Sequence, residues 1–235
     1  DELMLCMTGD PLWAEHCEEV AFNSYPAAVM PDFKGLRYIT CPNQTVSDSK
    51  NHHPGIDNRG PFLAMNPFSS RCCQHNHAQG WPYYAEHLIL ATPDNGVAAA
   101  MYAACKATVK VGDGNEISLH EQTNYPFEET IRFTGKILRS CKFPFYLRIP
   151  SWTEGATIFV NGKKVAANPE AGQYACINRE WKDNDQVEIQ LPMQLSMRTW
   201  QVNKNSVSVD YGPLTMSLKI DEDYDEKGQP RYGYR

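Results

Sequence analysis

The sequence predicts an α+β fold, with a helical and loop-rich first third followed by a β-rich remainder. Three observations predict it. Asp10-Pro11 opens a stretch whose apolar residues recur at spacings of three and four. Past Asp94-Asn95-Gly96 the apolar pattern changes to period two. Asn161-Gly162 then joins Ile158-Phe159-Val160 to Lys163-Lys164-Val165, the residue pair that a tight type I′ hairpin needs.

Taken in order, residues 1–8 form the tail of a helix that Gly9 closes as a C-cap. At the next helix start, Asp10 caps free amides and Pro11 suits the first helical position. Leu12, Trp13, His16, Val20, Ala21 and Ala27 give that helix its apolar face, and it runs to about Pro26. Its glutamates Glu15, Glu18 and Glu19 are expected to be solvated. Leu36 to Cys41 alternates as a short strand. Residues 42–70 are rich in Asn, Asp, Ser, Gly and Pro, a long irregular segment of the kind that often carries function. A helix follows from about Gln74 to Ala91, interrupted at Trp81-Pro82.

Strands are expected at 98–111, 116–123, 128–134, 143–149, 156–160, 173–178, 185–191 and 206–218. Val187, Ile189 and Leu191 alternate with Glu188 and Gln190, as in a half-buried strand. About eight short strands with regular turns predict an antiparallel β-sandwich, jelly-roll-like in kind. Pro144, Pro150 and Pro192 fall at strand margins, where a missing amide is tolerated.

Composition bounds the function. At 235 residues and 42% hydrophobic content, the chain can bury an ordinary core. A net charge of −6 without a basic stripe argues against nucleic acid. No run approaches the 18 or so apolar residues that span a membrane. The eight cysteines include no Cys-x-x-Cys, and the chain exceeds the size of a disulfide scaffold. Cys105 and Cys176 lie in apolar stretches and are expected as buried free thiols. The ends resemble those of a fragment: no initiator Met, no signal-like segment, and an acidic stretch 221–226 near the close.

The most informative feature is Cys72-Cys73, followed at once by Gln74-His75-Asn76-His77. Neighbouring residues diverge by about a hundred degrees on a helix, so both cannot be ordinary core residues. Paired thiols serve a metal ion, redox chemistry or an activated nucleophile. Against these stand the ordinary reading of a single cysteine as a small buried apolar residue, a chance pair and a vicinal disulfide. His75 and His77 are read as supporting or structural residues rather than ligands.

Several segments in order resemble glycoside hydrolase family 127, the β-L-arabinofuranosidase-like enzymes. They are Thr8-Gly9-Asp10 leading to Glu18-Glu19-Val20-Ala21-Phe22-Asn23; Cys72-Cys73 with Asn76; Leu147-Arg148-Ile149-Pro150-Ser151-Trp152; Val160-Asn161-Gly162; Glu180-Trp181-Lys182-Asp183-Asn184-Asp185 with Leu191-Pro192-Met193; and Tyr211-Gly212-Pro213-Leu214. The resemblance spans residues 1 to about 220. It departs after the cysteine pair, where Gln74 and His75 stand in place of the usual prolines.

The resemblance implies an (α/α)6 barrel followed by β-sandwich domains. Residues 1–94 would be the C-terminal part of the barrel and 95–220 the sandwich. Residues 221–235 would be a polar linker or the start of a further domain. It implies Cys72 as nucleophile and zinc ligand, Cys73 as zinc ligand, and Glu18 and Tyr38 as substrate-binding residues. The remaining ligands of the Zn2+ cofactor, a Glu-x-Cys pair, and a glutamate acting as general acid/base are expected upstream, so residues 1–235 alone are expected to be inactive. The implied reaction is retaining hydrolysis of β-L-arabinofuranosides or related plant-glycan sugars. The implied partner is an oligosaccharide or glycoside, with room for a homo-oligomer; the compartment is left open, with a periplasmic or secreted setting favoured over a cytosolic one. The second reading is a non-catalytic sandwich scaffold or carbohydrate-binding module with a residual metal site, drawing on Trp152, Trp181 or Trp200.

Overall fold

The structure is a computed structural model that describes residues 1–30, 33, 35–37, 63–65, 71–167 and 169–219. It has few helices and a sheet-rich, sandwich-like part. The chain divides into two compact units, one of residues 1–19 with 83–217 and one of residues 20–82 with 218–235.

In the larger unit, helix α1 (Glu2–Thr8) ends at Gly9, whose φ of 68° and amide N–H donating to the Leu5 carbonyl make the expected left-handed cap. Helix α2 (Pro11–Glu19) starts with the Leu12 amide donating to Asp10 Oδ1 at 2.9 Å. Its buried side is Ala14, Cys17 and Glu18, while Leu12 and Val20 are about half exposed. The helix is therefore rotated from the face its apolar residues predict, because a charged group on the sheet draws Glu18 inward.

Two sheets form the sandwich. One has six strands in the order β10-β9-β12-β7-β6-β5: β5 Cys105–Val111, β6 Asn115–Gln122, β7 Thr130–Ile137, β9 Thr157–Val160, β10 Lys163–Lys164 and β12 Gln186–Gln190. The other has four, β11-β8-β4-β3: β3 Ile89–Ala91, β4 Val97–Ala99, β8 Cys141–Ile149 and β11 Gln173–Trp181. All pairs in the two sheets are antiparallel except β4 with β8, a departure from the purely antiparallel expectation. Alternation aims Ile117, Leu119, Ile131 and Phe133 of the first sheet inward to meet Phe143, Phe145 and Leu147 of the second. Phe133 and Phe145 cross the interface edge to face, with ring centroids 5.3 Å apart. Asn161 and Gly162 turn β9 into β10 with φ of 50° and 76°, as the type I′ reading requires.

Three expectations are corrected here. Residues 89–91 are strand rather than helix, because Thr92 and Asp94 build a turn that returns the chain as β4: the Thr92 hydroxyl donates to Asp94 Oδ1 and accepts from the Gly96 amide. Pro144 lies inside β8, not at its margin. Its neighbour on the amide side, β4, pairs only from Phe145 onward, so no ladder bond is lost. The predicted strand 206–218 is two strands, β14 (Ser206–Tyr211) and β15 (Leu214–Met216), folded at Gly212-Pro213. They join an unexpected β13 (Leu195–Trp200) in a separate three-stranded sheet.

In the smaller unit, the helical path of α2 continues as a π-helical turn (Val20–Ser24) and a short α3 (Tyr25–Ala27). Strand β1 (Gly35–Arg37) pairs with β2 (Leu63–Met65). Helix α4 (Arg71–Glu86) begins three residues earlier than expected and so takes in both adjacent cysteines. Most of the irregular segment 42–70 and the end of the predicted strand at 38–41 lie outside the described residues.

Candidate active site

The cysteine pair sits in the first turn of α4, in the smaller unit. Cys72 is exposed, Cys73 is half-buried, and their sulfurs are 3.6 Å apart. The expected divergence of neighbours on a helix thus leaves one thiol in solvent while the other turns toward protein. Burial pushes the Cys73 thiol above its ordinary value, and the hydrogen bond and charge of Cys72 push the same way.

One turn along, His77 is half-buried and lies parallel to the Tyr25 ring, 4.1 Å between centroids. His75 and Asn76 are exposed. Among the described residues no three metal-ligating side chains gather, and none of the cysteines found there is in a disulfide. Cys105 is half-buried, and burial pushes its thiol up to about 12. Cys176 is exposed, not buried as expected, because Ala175 and Ile177 take the inward positions of β11.

Glu18 stands in the larger unit and is 1% exposed. Its Oε1 lies 2.5 Å from Arg148 Nη2 and accepts from the Tyr102 amide at 3.3 Å. Its Oε2 accepts from the Tyr125 hydroxyl at 2.8 Å. Burial lifts the Glu18 carboxyl above the ordinary carboxylate range, opposed by Arg148 and by the donated hydrogen bonds. Burial weighs most against the Arg148 charge, but Glu18, Tyr125 and Tyr102 together outweigh it and hold the guanidinium protonated. Arg148 Nε donates to the Ala100 carbonyl at 2.6 Å, and the Tyr102 hydroxyl donates to the Arg148 carbonyl at 2.5 Å. The expectation that the three helix glutamates are solvated fails for Glu18; Glu15 and Glu19 stay partly exposed, each with a partner. Glu15 accepts from the Ser151 amide and hydroxyl at 2.5 and 2.6 Å, and Glu19 accepts from Arg198 at 2.6 Å. Tyr38 lies outside the described residues.

A second buried carboxyl, Glu121, was not anticipated. It occupies the third inward position of β6 after Ile117 and Leu119, is 1% exposed, and receives the Ala103 amide at 3.2 Å and the Cys105 thiol at 3.6 Å. Burial raises its carboxyl well above the ordinary range, against the opposing hydrogen bonds from Cys105 and Ala103. Strict alternation at 117, 119 and 121 was the signal that could have found it. Arg148 was legible only as part of a motif, since β8 is covered on both faces and its buried register carries no polar-out rule.

A cleft open to solvent is lined by Glu15, Glu19, Ser151, Trp152, Arg198 and Asp210 among others. Of the other tryptophans considered for a sugar-facing surface, Trp181 is core and Trp200 lies under the Arg198 guanidinium. Among the described residues no helix is long and apolar enough to cross a membrane.

Two family models match the chain. The one described as the GH127 beta-L-arabinofuranosidase catalytic domain covers residues 1–86, and the one described as the GH127 middle domain covers 96–193. A solved structure named as a glycoside hydrolase is similar at 29% identity and a TM-score of 0.74, over 90% of this chain and 35% of its own. A GH127 beta-L-arabinofuranosidase from Geobacillus stearothermophilus is similar at 26% identity and a TM-score of 0.75, over 90% of this chain and 33% of its own. A further GH127 beta-arabinofuranosidase, at 22% identity and a TM-score of 0.71 over 91% of this chain and 34% of its own, shares the fold. The chain spans about a third of the length of these relatives. No curated protein matches its sequence.

Proposed function

This chain belongs to glycoside hydrolase family 127, and we propose that it supplies the cysteine pair of a retaining glycosidase acting on β-L-arabinofuranosides or related plant-glycan sugars. The observation that carries the reading is Cys72-Cys73. The two thiols sit side by side in the first turn of α4, one open to solvent, within the span matched by the catalytic-domain model. In the proposed architecture residues 1–94 close an (α/α)6 barrel and 95–220 form the sandwich that follows it in sequence.

The proposed chemistry replaces the usual carboxylate nucleophile of retaining glycosidases by a thiolate. Cys72 Sγ forms a bond to the anomeric carbon as the glycosidic bond breaks. The leaving oxygen takes a proton from a carboxylic acid outside this chain. Water then attacks the same carbon, the C–S bond breaks, and the sugar leaves with its configuration retained. Cys73 stays out of the bond changes and holds the pair's geometry.

Cys72 and Cys73 would hold a zinc ion, whose chemistry when bound is to remove the thiol protons. The pair fits it: two sulfurs each about 2.3 Å from a tetrahedral zinc lie roughly 3.8 Å apart, against the 3.6 Å found here. Tyr38 is proposed to border the sugar. Glu18, enclosed by Arg148, Tyr125 and Tyr102, is proposed to support that site by fixing its helical turn rather than by meeting hydroxyl groups.

The test uses a protein of the relatives' length that carries this chain. Hydrolysis of an aryl β-L-arabinofuranoside by wild type should fall on the order of a thousandfold or more with Cys72→Ser, while Glu19→Gln stays active. Equal turnover by Cys72→Ser overturns the reading. The cleft beside Trp152 favours a second reading, non-catalytic carbohydrate binding. That reading predicts sugar binding unchanged by Cys72→Ser and lost with Trp152→Ala.

A further inference from the structure

The cysteine pair is the first turn of a helix, and a helix start left to itself frays. Something must hold this turn if the two thiols are to keep one geometry. In α4, Cys73 and His77 are four residues apart and so share a face. Whatever immobilises His77 immobilises the face that Cys73 presents.

His77 is held twice. Its Nε2 lies 3.0 Å from the Tyr25 carbonyl, which can only accept, so Nε2 carries the proton and donates. Its ring lies flat on the Tyr25 ring, 1° from parallel. Tyr25 is fixed in turn. Trp81 meets it edge-on with centroids 5.2 Å apart, and Gly80 lets the ring approach α4 where any Cβ would collide with it. The Tyr25 hydroxyl has no hydrogen-bond partner among the described residues, so the ring is placed by packing. Tyr25 directly follows the π-helical turn Val20–Ser24, a deviation that re-aims the residue after it.

We infer that His77, clamped between α4 and Tyr25, is the positioning residue that sets the geometry of the Cys72–Cys73 thiol pair. The inference deepens the reading of that pair as the reactive site and rests on it for its meaning. It does not make His77 a ligand or a proton carrier.

The test follows iodoacetamide alkylation of each cysteine, peptide by peptide, in the 235-residue chain. Exposed Cys6 and Cys176 report on the rest of the fold. His77→Phe keeps a ring to stack but loses the donor. Cys73 should then react roughly fivefold faster, the scale of local order lost with one net hydrogen bond, with Cys6 and Cys176 unchanged. His77→Gln restores a donor and should return most of the wild-type rate. Tyr25→Phe should change nothing, whereas Tyr25→Ala should act like His77→Phe.

Unchanged Cys72 and Cys73 rates in His77→Phe overturn the inference, and so does a His77→Gln variant as fast as His77→Phe. If His77→Phe speeds every cysteine alike, the fold has loosened, and the comparison of Tyr25→Phe with Tyr25→Ala decides by the same criteria. Alkylation needs no sugar chemistry. A negative result here leaves the glycosidase reading standing, and an inactive enzyme leaves this result standing.

Discussion

Glu18 and Arg148 meet 2.5 Å apart with side chains 2% and 0% exposed, joining helix α2 to strand β8 across 130 residues of sequence. A carboxylate and a guanidinium enclosed this fully leave an uncompensated buried charge when either is removed. Arg148→Met should therefore destabilise the chain by about 3–5 kcal/mol. The double variant Glu18→Leu with Arg148→Met should recover most of that loss. Urea unfolding of wild type, Arg148→Met and the double variant checks it, and a single-variant loss below about 1 kcal/mol, the range of exposed pairs, contradicts the burial described here.

Glu121 predicts a pH dependence of opposite sign to that of an ordinary salt-bridged carboxylate. Its folded pKa is raised by burial, so the folded chain holds a proton that the unfolded chain releases. Its contribution is fully present below the unfolded value of about 4.3 and is lost as pH rises through the raised folded value. In that window this group lowers stability by up to about 1.4 kcal/mol per pH unit. Glu121→Gln should flatten the slope. A slope equal in both proteins from pH 4 upward contradicts the assignment.

Phe133 and Phe145 join the two sheets of the sandwich. Each truncation to alanine should cost about 3–5 kcal/mol. A double-mutant cycle should show a coupling of about 0.5–1.5 kcal/mol, the range of an edge-to-face pair. Additive losses would mean that the rings do not meet.

Gly162 has φ of 76°, and a Cβ placed there meets nothing within 4 Å. Gly162→Ala therefore tests backbone strain alone and should cost about 1–2 kcal/mol. Asn161→Ala should cost more than its backbone preference suggests, since the Asn161 side chain donates to Asp185 and accepts from the Gln186 amide, both at 2.8 Å. Thermal unfolding of both variants gives the comparison.

Local chemistry was legible in the sequence, and partnership was not. Gly9, Asp10-Pro11 and Asn161-Gly162 announce their caps and turns, because the backbone angles and free amides they serve are set within a few residues. Strands with one buried face, such as β6, β7 and β12, follow their alternation. Residues 89–91 did not, because a three-residue apolar run fits helix and strand equally, and the Thr92–Gly96 turn decides. The fate of Glu18 was hidden for another reason. A glutamate on a helix is ordinarily solvated, and only the arrival of Arg148 from β8 makes its burial tolerable. The adjacent cysteines were visible as a pair. Their place in the first turn of α4, and the His77–Tyr25 stack beside them, needed three dimensions.

The central claim, that Cys72 is the nucleophile of a glycosidase, is tested most directly by intact-protein mass spectrometry on a protein of the relatives' length that carries this chain. It would be incubated with an aryl β-L-arabinofuranoside, as wild type and as Cys72→Ser. The account predicts a sugar-sized mass increase on wild type that maps to Cys72 and is absent from Cys72→Ser. Turnover without any adduct on Cys72, or an adduct that persists in Cys72→Ser, would contradict it.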